Sequence, residues 1–589
     1  MKQKNRFYLL LVKPTRYDDD GYPVHWVRSA LPSNSLASMH GIARDCRDRG
    51  ILGKDTEIVI EAIDENNLPL KADTYIRRIR KEGARGLLAL VGVQSNQFPR
   101  AIDIAQPFLQ AGVPVCMGGY HVSGCLAMFP EPTPELVDAM ESGISLFAGE
   151  AEERRFDQVL IDAWNGKLQK LYDYTGELPD LKTAPPPYVT QQQLRRSFSG
   201  TSSIDLGRGC PFTCSFCCII NVHGKKSRFR SVDALERTIR SNHEIGATDI
   251  FITDDNFARN QNWEALLDRL IALRAEGIRM DYIIQVDMLC HRIPGFIEKC
   301  IDAGIAHVFV GLENINPDNL AAVNKRQNRI TEYREMLLAW KRHNVIVWGG
   351  YIVGFPNDTP ESILHDVELI KRELPIDLLN ISILTPLPGS EDHKKLHDEG
   401  VWMDPDLNKY DIAHRVIHHP RMTDKELDEV YEQAWSNFYN RDHMTTVLRR
   451  RFALGPGRAL TMVLRLVGYG INTRQQGMRS YDMGIIRRKS RKSRRPGLPL
   501  ENPLIFYPKY VLHELKAAGV NIYSYWRLIR LAKRMMKDPN RRAYKDTAIT
   551  PAVHEDLDNL ALFKETRGGQ EVVVKFKQLD KRPGVVPAK

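Results

Sequence analysis

Three cysteines in one short loop constrain this chain more than any other feature of its sequence. Cys210, Cys214 and Cys217 stand at the spacing C-x3-C-x2-C, in a stretch that also contains glycine and proline. The residues before them predict a short strand over 202–206, which the glycines and the proline end in a loop. Thiolates are the ligands of iron–sulfur clusters. Three of them can hold three irons of a [4Fe–4S] cube and leave the fourth iron open, so the spacing predicts such a cluster.

Zinc is the alternative metal for this loop, because soft ligands also select zinc. A structural zinc site has four protein ligands, and no partner C-x2-C pair occurs elsewhere in the sequence. His223 is the remaining candidate for a fourth ligand, but it lies outside the tight loop. Cys218 directly follows Cys217 and does not fit the spacing, so we expect it to pack as a small apolar residue. The pattern therefore favours the cluster.

The cysteine loop resembles the signature of the radical S-adenosylmethionine (SAM) superfamily, C-x3-C-x-aromatic-C, with Phe216 as the aromatic residue. The resemblance implies that the open iron binds the amino and carboxylate groups of SAM. It also implies that one electron from the reduced cluster splits the sulfonium and releases a 5′-deoxyadenosyl radical. An electron donor such as flavodoxin or ferredoxin would then be a partner of this chain.

Residues 1–180 predict an α/β domain with a doubly wound parallel sheet. Apolar runs at 7–12, 58–63, 86–93, 113–117 and 144–147 alternate with helical patterns, as in such sheets. The acidic stretch 149–153 predicts the start of the last helix of this domain, because carboxylates favour a helix N-terminus.

The stretch 113–121 resembles the cobalamin-binding domain that precedes many radical SAM domains. The resemblance implies cobalamin contacts from Gly118, Gly119 and His121, and a hydrogen-bonded loop histidine is the alternative for His121. The motif D-x-H-x-x-G is absent, since the corresponding loop 92–99 contains no histidine. Many relatives also lack it, so the resemblance implies a cobalt without an imidazole ligand from the protein. A domain that has lost the cofactor, or that binds substrate instead, is the alternative.

The middle of the chain predicts a radical SAM partial barrel over 199–420, after a proline-rich linker at 181–198. Residues 421–589 predict a mainly α-helical, basic region. The barrel is drafted from six strand–helix units, whose strands lie at 202–206, 249–253, 281–286, 307–312, 346–353 and 378–383. Six such units form an open, three-quarter (β/α) barrel, which is the fold of the family.

Active sites of such barrels lie at the carboxyl ends of the strands. The resemblance assigns SAM-binding roles to four polar residues at these ends, Asp254, Asp255, Gln285 and Glu313. It assigns further roles to Gly350, Ile352 and Gly354, which match the family motif G-x-I-x-G-x-x-E, whose last position is Asn357 here. Either aspartate could instead cap the helix that follows. Lys225, Lys226, Arg228 and Arg230 after the cysteine loop either bind an anionic group of SAM or substrate, or form an exposed basic face. No catalytic side chain is assigned.

Charge is distributed unevenly along the chain. Residues 441–589 contain 32 basic and 12 acidic residues, whereas residues 1–440 contain 51 and 61. The dense basic run 487–495 and an amphipathic helix over 522–537 predict an anionic partner. A basic helix with an aromatic and aliphatic face suits an anionic membrane, and we expect no nucleic-acid partner. Packing of this helix on its own domain is the alternative.

Nine cysteines without a disulfide pattern, and no apolar run of about 18 residues, predict a cytoplasmic protein without a transmembrane helix. Contact with the inner face of the membrane would be peripheral. Residues 571–589 predict one strand and a frayed tail.

The resemblance as a whole implies an enzyme that methylates an unactivated carbon of a small-molecule or lipid-like substrate. SAM would be used twice, once to methylate cobalamin and once to form the radical. A radical rearrangement, a cyclisation or a methylthiolation is the alternative within the same class. A binding or scaffold protein with a structural cluster is the alternative from another class.

Overall fold

The computed structural model of the chain describes residues 5–550, apart from Arg326, Arg329, Pro456 and 479–481, together with residues 560–565 and 570. The strand and tail predicted for 571–589 lie outside these residues. The chain divides into two compact units. The first comprises residues 1–284, 385–411 and 481–516, and the second comprises residues 285–384, 412–480 and 517–589.

The strands of the described residues are, in chain order, β1 Asn5–Lys13, β2 His25–Ser29, β3 Thr56–Asp64, β4 Arg85–Leu90, β5 Val115–Gly118, β6 Ile144–Ala148, β7 Leu171–Asp173, β8 Thr201–Ile204, β9 Gly207–Arg208, β10 Arg228–Phe229, β11 Asp249–Ile252, β12 Asp281–Val286, β13 Ile305–Glu313, β14 Ile346–Val353, β15 Leu378–Ile383 and β16 Gly484–Arg488.

The α-helices of the same residues are α1 Asn34–Asp48, α2 Ala72–Lys81, α3 Phe98–Gln110, α4 Tyr120–Met128, α5 Pro134–Glu141, α6 Arg155–Asn165, α7 Gln191–Arg195, α8 Ile219–Val222, α9 Val232–Glu244, α10 Trp263–Ala275, α11 Phe296–Ala303, α12 Pro317–Ala322, α13 Ile330–Lys341, α14 Pro360–Glu373, α15 Glu391–Asp398, α16 Asp424–Phe438, α17 Arg441–Leu454, α18 Ala459–Arg465, α19 Thr473–Gln476, α20 Pro503–Lys537 and α21 Ala561–Lys564.

The N-terminal sheet is fully parallel and has the order β3-β1-β4-β5-β6-β7. Alternate residues of β1 enter two separate cores. Leu10 packs with residues of α2 to α5 on one face, and Leu9 packs with residues of α1 and α6 on the other. Burial on both faces explains why these strands read as continuous apolar runs. The predicted doubly wound sheet is therefore confirmed. The order in which successive strands are added to the sheet reverses between β1 and β4.

The six predicted barrel strands are all present, each within two residues of its predicted bounds. In the first unit, β11 pairs in parallel with β8 and with β12. In the second unit, β14 pairs in parallel with β13 and with β15. Helices α9, α10, α11, α13 and α14 follow these strands in the sequence, as expected for strand–helix units.

The C-terminal region is mainly helical, as predicted, with α16 to α20 and a π-helical turn at Leu466–Asn472. The sequence did not predict the strand β16 in this region. It pairs antiparallel with β2. No helix among the described residues is long and apolar enough to cross a bilayer.

The basic run 487–495 is largely paired within the first unit rather than exposed as a free basic patch. Arg487 is buried and lies 2.8 Å from Asp18. Arg495 lies 2.8 Å from Asp406 and Lys489 lies 2.8 Å from Asp18. Several of its side chains are therefore neutralised by acidic residues far away in the sequence, and contact of this run with an anionic partner stays a prediction.

Candidate active site

The cysteine loop leaves β9 and enters α8, and its backbone is closed by its own hydrogen bonds. The Cys217 N–H donates to the Cys214 carbonyl at 3.2 Å, and the Cys210 N–H donates to the Gly224 carbonyl at 3.2 Å. Gly209 has a φ of +96°, and a Cβ there would meet the Lys226 carbonyl oxygen at 2.4 Å, so only glycine fits. Three thiols within one fixed loop are a donor set that fits a [4Fe–4S] cluster.

Cys218 packs against the turn that follows β15. A Cβ on Gly389 would lie 3.3 Å from the Cys218 Cβ and 2.7 Å from the Gly124 Cα. Asn221 also donates to the Gly389 carbonyl at 2.8 Å. These contacts suit the packing role expected for Cys218.

Asp254 supports the turn that leads into the cysteine loop. Its carboxylate accepts hydrogen bonds from the N–H groups of Leu206 and Gly207 at 2.6 and 2.8 Å, and from the Asn260 amide at 2.8 Å. The side chain is fully buried, and burial raises the pKa of Asp254 to about 7. Asp254 thus holds the backbone just before the loop.

Asp255 faces the other way and contacts the loop itself. It accepts from the Gly209 N–H at 2.7 Å and lies 3.0 Å from Nδ1 of His223. The Tyr120 hydroxyl lies 3.1 Å from Nε2 of the same imidazole. Neither aspartate caps α10, whose N-cap residue is Asn262. The alternative of helix capping is therefore wrong for both.

A cavity of about 310 Å³ lies at the carboxyl ends of β4, β5 and β6. Its lining includes Gly118 and Gly119, as predicted, and also Tyr120, His223 and Asp255. Gly119 has a φ of 148°, and a Cβ there would meet the Val93 nitrogen at 2.1 Å. This part of the floor is therefore bare backbone. Doubly wound sheets bind ligands at this edge, near the point where the strand order reverses. A floor without side chains fits a broad cofactor such as a corrin ring.

A buried ion-pair network forms one wall of the cavity. Arg208 lies 2.6 Å from Glu150, 2.7 Å from Glu152 and 3.0 Å from Asp205. Burial alone would raise the pKa of Glu150, but Arg208, His223 and Arg228 lower it to about 2.

Two expectations about charged residues change with this network. The acidic stretch 149–153 does not begin a helix, because α6 begins only at Arg155. Glu150 and Glu152 pair with Arg208 instead. Arg228 pairs with Glu150 and Arg230 with Asp205, so both are structural. Lys225 and Lys226 are exposed, as the alternative of a basic face predicted.

His121 does not line the cavity, although the two glycines before it do. Its imidazole is fully buried, with Nδ1 3.1 Å from the Ser95 hydroxyl and Nε2 3.5 Å from Glu135. The ring also packs on Phe98, with centroids 4.5 Å apart. His121 therefore holds the loops beneath the floor, and its predicted cofactor contact stays a prediction.

The remaining predicted SAM-binding residues belong to the second unit. Gln285 lies near the end of β12, Glu313 is the last residue of β13, and Gly350 and Ile352 lie in β14, with Gly354 after its end. Glu313 has a φ of +62° and pairs with Lys325 at 2.5 Å. Their contacts with SAM stay predictions.

An aspartate that the sequence did not suggest supports the glycine motif of the second unit. Asp358 accepts from the N–H groups of Gly354 and Phe355 at 2.9 and 3.0 Å. Its place one residue after Asn357, where the family pattern has glutamate, is the signal that could have revealed it.

Comparison with known proteins identifies the class of this site. Residues 204–370 match the Radical SAM superfamily. This central segment is therefore similar to that superfamily. The predicted radical SAM enzyme, with its [4Fe–4S] cluster and SAM, is confirmed by this match and by the cysteine loop inside it.

Related radical SAM proteins include methyltransferases. The chain is 28% identical over 347 residues to bacteriochlorophyllide d C-8(2)-methyltransferase of Chlorobaculum tepidum, covering 56% of this chain and 72% of the relative. It is 25% identical over 321 residues to the hopanoid C-2 methylase of Rhodopseudomonas palustris, covering 54% and 58%.

Solved structures share the fold over most of the chain. The radical SAM methyltransferase TsrM from Kitasatospora setae, solved with cobalamin and a [4Fe–4S] cluster, aligns with a TM-score of 0.52 at 15% identity over 76% of this chain and 90% of TsrM. The cobalamin-dependent radical SAM enzyme OxsB, solved with aqua-cobalamin, aligns at 0.51 and 13% over 91% and 82%. The predicted fold class, a cobalamin-binding-like domain with a radical SAM partial barrel, is thereby confirmed.

Proposed function

We propose that this chain is a cobalamin-dependent radical SAM methyltransferase that methylates an unactivated carbon. One observation carries the proposal. The glycine-floored cavity of the N-terminal sheet is lined on another side by Gly207, Arg208 and His223, which flank the cluster cysteines in the sequence. A corrin ring in this cavity would therefore lie beside the cluster loop. Such proximity is what a reaction needs when it joins a methyl group to a substrate radical.

The cofactors would be held by different parts of the first unit. Cys210, Cys214 and Cys217 would bind the cluster, and Gly118 and Gly119 would lie under the corrin ring. When bound, the cluster with SAM supplies a 5′-deoxyadenosyl radical and cobalamin supplies the methyl group. The histidine that lines the cavity is His223, and its imidazole already contacts Tyr120 and Asp255. We therefore propose that cobalt has no histidine ligand from the protein.

The protein side chains around the cavity have positioning roles. Tyr120 contacts His223, His223 contacts Asp255, and Asp255 accepts from the Gly209 N–H. This series of contacts would link the edge of the corrin ring to the cysteine loop. Glu150, Glu152 and Asp205 are buried, and they hold the largely buried Arg208 in the lining of the cavity. Removing such groups from water strengthens their interaction, so the wall is rigid when a cofactor binds.

We also propose the finer features of substrate and location. The substrate is a lipid-like small molecule, supported by relatives that are named for hopanoid and bacteriochlorophyllide methylation. The electron donor is a flavodoxin or ferredoxin. The enzyme works in the cytoplasm, in peripheral contact with the inner face of the membrane, supported by the basic excess of 441–589.

The proposed corrin site can be tested by a substitution that fills the cavity and leaves the cluster cysteines unchanged. Ser35 lies beside Gly92 in the lining of the cavity. After anaerobic reconstitution with hydroxocobalamin and gel filtration, we expect the wild-type protein to retain about one corrinoid per chain. Ser35→Phe should retain at least about tenfold less, because a phenyl group overfills the site. Iron content and formation of 5′-deoxyadenosine should stay unchanged.

Ser142→Phe, at an exposed helix end, is the matched control and should behave as wild type. A deuterated methyl group from SAM should appear on the extracted corrinoid of the wild-type protein by mass spectrometry. If the wild-type protein keeps no corrinoid, the methyltransferase proposal is wrong. If both phenylalanine variants keep it equally, the assigned cavity is wrong.

A further inference from the structure

Helix α20 exposes an apolar stripe from Leu504 to Trp526. Leu504, Val511, Leu515, Ile522 and Trp526 recur at helical spacing and share one face. Leu504 is 82% exposed, Leu515 64%, Ile522 69% and Trp526 52%. The sequence suggested such a face only for 522–537, so the structure extends it by about five turns.

The stripe faces away from the protein, because a second stripe of the same helix is buried. Phe506, Ala517, Ser524, Leu528 and Ala532 form that buried edge, roughly opposite the exposed one. Phe506 packs on Tyr22 with ring centroids 5.2 Å apart. A helix that packs on its own domain normally turns polar residues to solvent. The outward side of α20 is apolar instead, which marks it as an interaction surface.

The charge of the helix indicates what covers this stripe. Its 35 residues include seven lysines and arginines and a single acidic residue, Glu514. Lys516, Arg530 and Arg534 lie along one flank of the stripe, and Arg530 lies over the Trp526 ring at 4.6 Å. A second copy of the chain would bring the same positive flank against this one. An anionic surface with an apolar interior matches both the charge and the stripe.

Neighbouring residues of the first unit continue the apolar surface. Ile485 and Ile486 of β16 are exposed, and the Tyr510 hydroxyl of α20 donates to the Arg487 carbonyl at 2.6 Å, which ties this strand to the helix. Leu498 and Leu500, just before the helix, are exposed as well. Arg487, Lys489 and Arg495 of the basic run are paired within the first unit, so we assign the docking charge to the lysines and arginines of α20.

We propose that α20 is a membrane-docking helix that lies in the plane of an anionic bilayer surface. The apolar stripe enters the boundary between headgroups and acyl chains, and the basic flank stays at the headgroups, as in other interfacial amphipathic helices. This inference rests on the proposed function in one respect, because docking would bring the enzyme to its lipid-like substrate. The docking itself needs neither SAM nor cobalamin.

The experiment measures vesicle binding of the full-length protein without added cofactors. Vesicles of phosphatidylcholine alone, and of phosphatidylcholine mixed with phosphatidylglycerol, are floated at low and high salt. We expect binding to the anionic vesicles at low salt. Leu504→Gln/Leu515→Gln/Ile522→Gln should lower the affinity at least about tenfold, because each change removes buried apolar area. Lys516→Gln/Arg530→Gln/Arg534→Gln should lower it about fivefold per charge, and only at low salt.

Matched controls separate docking from general surface effects. Val401→Gln/Leu460→Gln replaces exposed apolar residues outside α20 and should bind as wild type. All variants should keep the wild-type thermal midpoint. Brominated lipids should quench part of the tryptophan fluorescence of the wild-type protein, and Trp526→Phe should remove that part.

Two results would overturn the proposal. One is a wild-type protein that ignores anionic vesicles at low salt, or that binds them as well as the stripe variant does. The other is a dimer in solution that the stripe variant converts to a monomer, which would assign the stripe to a second copy. Neither result affects corrinoid retention or 5′-deoxyadenosine formation, so a failure here differs from a failure of the proposed methyltransferase.

Discussion

Two adjacent carboxylates after β11 have different roles, although they share one local sequence. Asp254 points into the core and accepts from the backbone before the cysteine loop, whereas Asp255 accepts from Gly209 and contacts His223. Successive side chains of an extended segment point to opposite sides. The sequence therefore predicts that the two differ, but not which one faces the cavity.

The cluster ligands can be tested one cysteine at a time. We expect Cys210→Ala, Cys214→Ala and Cys217→Ala each to lose cluster iron and 5′-deoxyadenosine formation, because three thiolates hold the cube. Cys218→Ala should keep both, since its side chain packs against Gly389. Iron analysis and an anaerobic SAM-cleavage assay measure the outcome. Loss of both in Cys218→Ala with retention in Cys217→Ala would reverse the assignment.

At the scale of elements, the two-residue strand β9 has more influence than its length suggests. It places Arg208 among Glu150, Glu152 and Asp205 and leads directly into the cysteine loop. Removing one partner of a buried ion pair leaves an unpaired buried charge. The wall of the cavity therefore depends on Arg208, which is the guanidinium that contacts all three carboxylates within 3.0 Å.

We expect Arg208→Met to destabilise the protein by about 3–5 kcal/mol, because the buried Glu152 loses its partner at 2.7 Å and Glu150 and Asp205 each lose one of their countercharges. Cluster iron should fall in parallel, since β9 begins the cysteine loop. Thermal unfolding and iron analysis measure these effects. Arg240→Met is the control, as its pairs with Glu236 and Glu276 lie at the surface and should contribute at most about 1 kcal/mol. Equal effects of the two substitutions would show that the buried network is not important.

At the scale of the whole molecule, acidic and basic parts of the chain neutralise each other. Asp18 and Asp20 near the N-terminus pair with Arg487 and Lys489, and Asp406 pairs with Arg495. The basic excess of 441–589 is thus partly used within the fold. Helix α20 carries seven lysines and arginines against one acidic residue, which is why the docking proposal rests on that helix.

Stability should also depend on pH through buried carboxyl groups. Burial raises the pKa of Asp366 to about 8, and the Tyr351 hydroxyl donates to it at 3.0 Å. A raised folded-state pKa means that the contribution of Asp366 to stability is full below about pH 4 and is lost as the pH rises to 8. Asp366→Asn keeps an acceptor for Tyr351 and does not titrate. Its stability relative to wild type should therefore increase across this range, by at most about 5 kcal/mol.

Thermal unfolding at a series of pH values measures this difference, with Asp73→Asn at an exposed position as the control. A constant difference between Asp366→Asn and wild type from about pH 4 to 8 would contradict the raised pKa.

The sequence alone determined the features that depend on short-range patterns. The cysteine spacing, the parallel strands of both sheets and the glycine floor at Gly118 and Gly119 were all predicted, because apolar periodicity and glycine positions act within about ten residues. The tertiary structure decided which distant charges meet. Glu150 and Glu152 were predicted to begin a helix, yet they pair with Arg208 across more than fifty residues. It also decided which apolar face of α20 is covered. Apolar residues recur at helical spacing on both faces. Phe506 and Leu528 are buried, whereas Leu504 and Ile522 are exposed to solvent. The sequence could not distinguish the two faces, because burial depends on neighbours that no local pattern specifies.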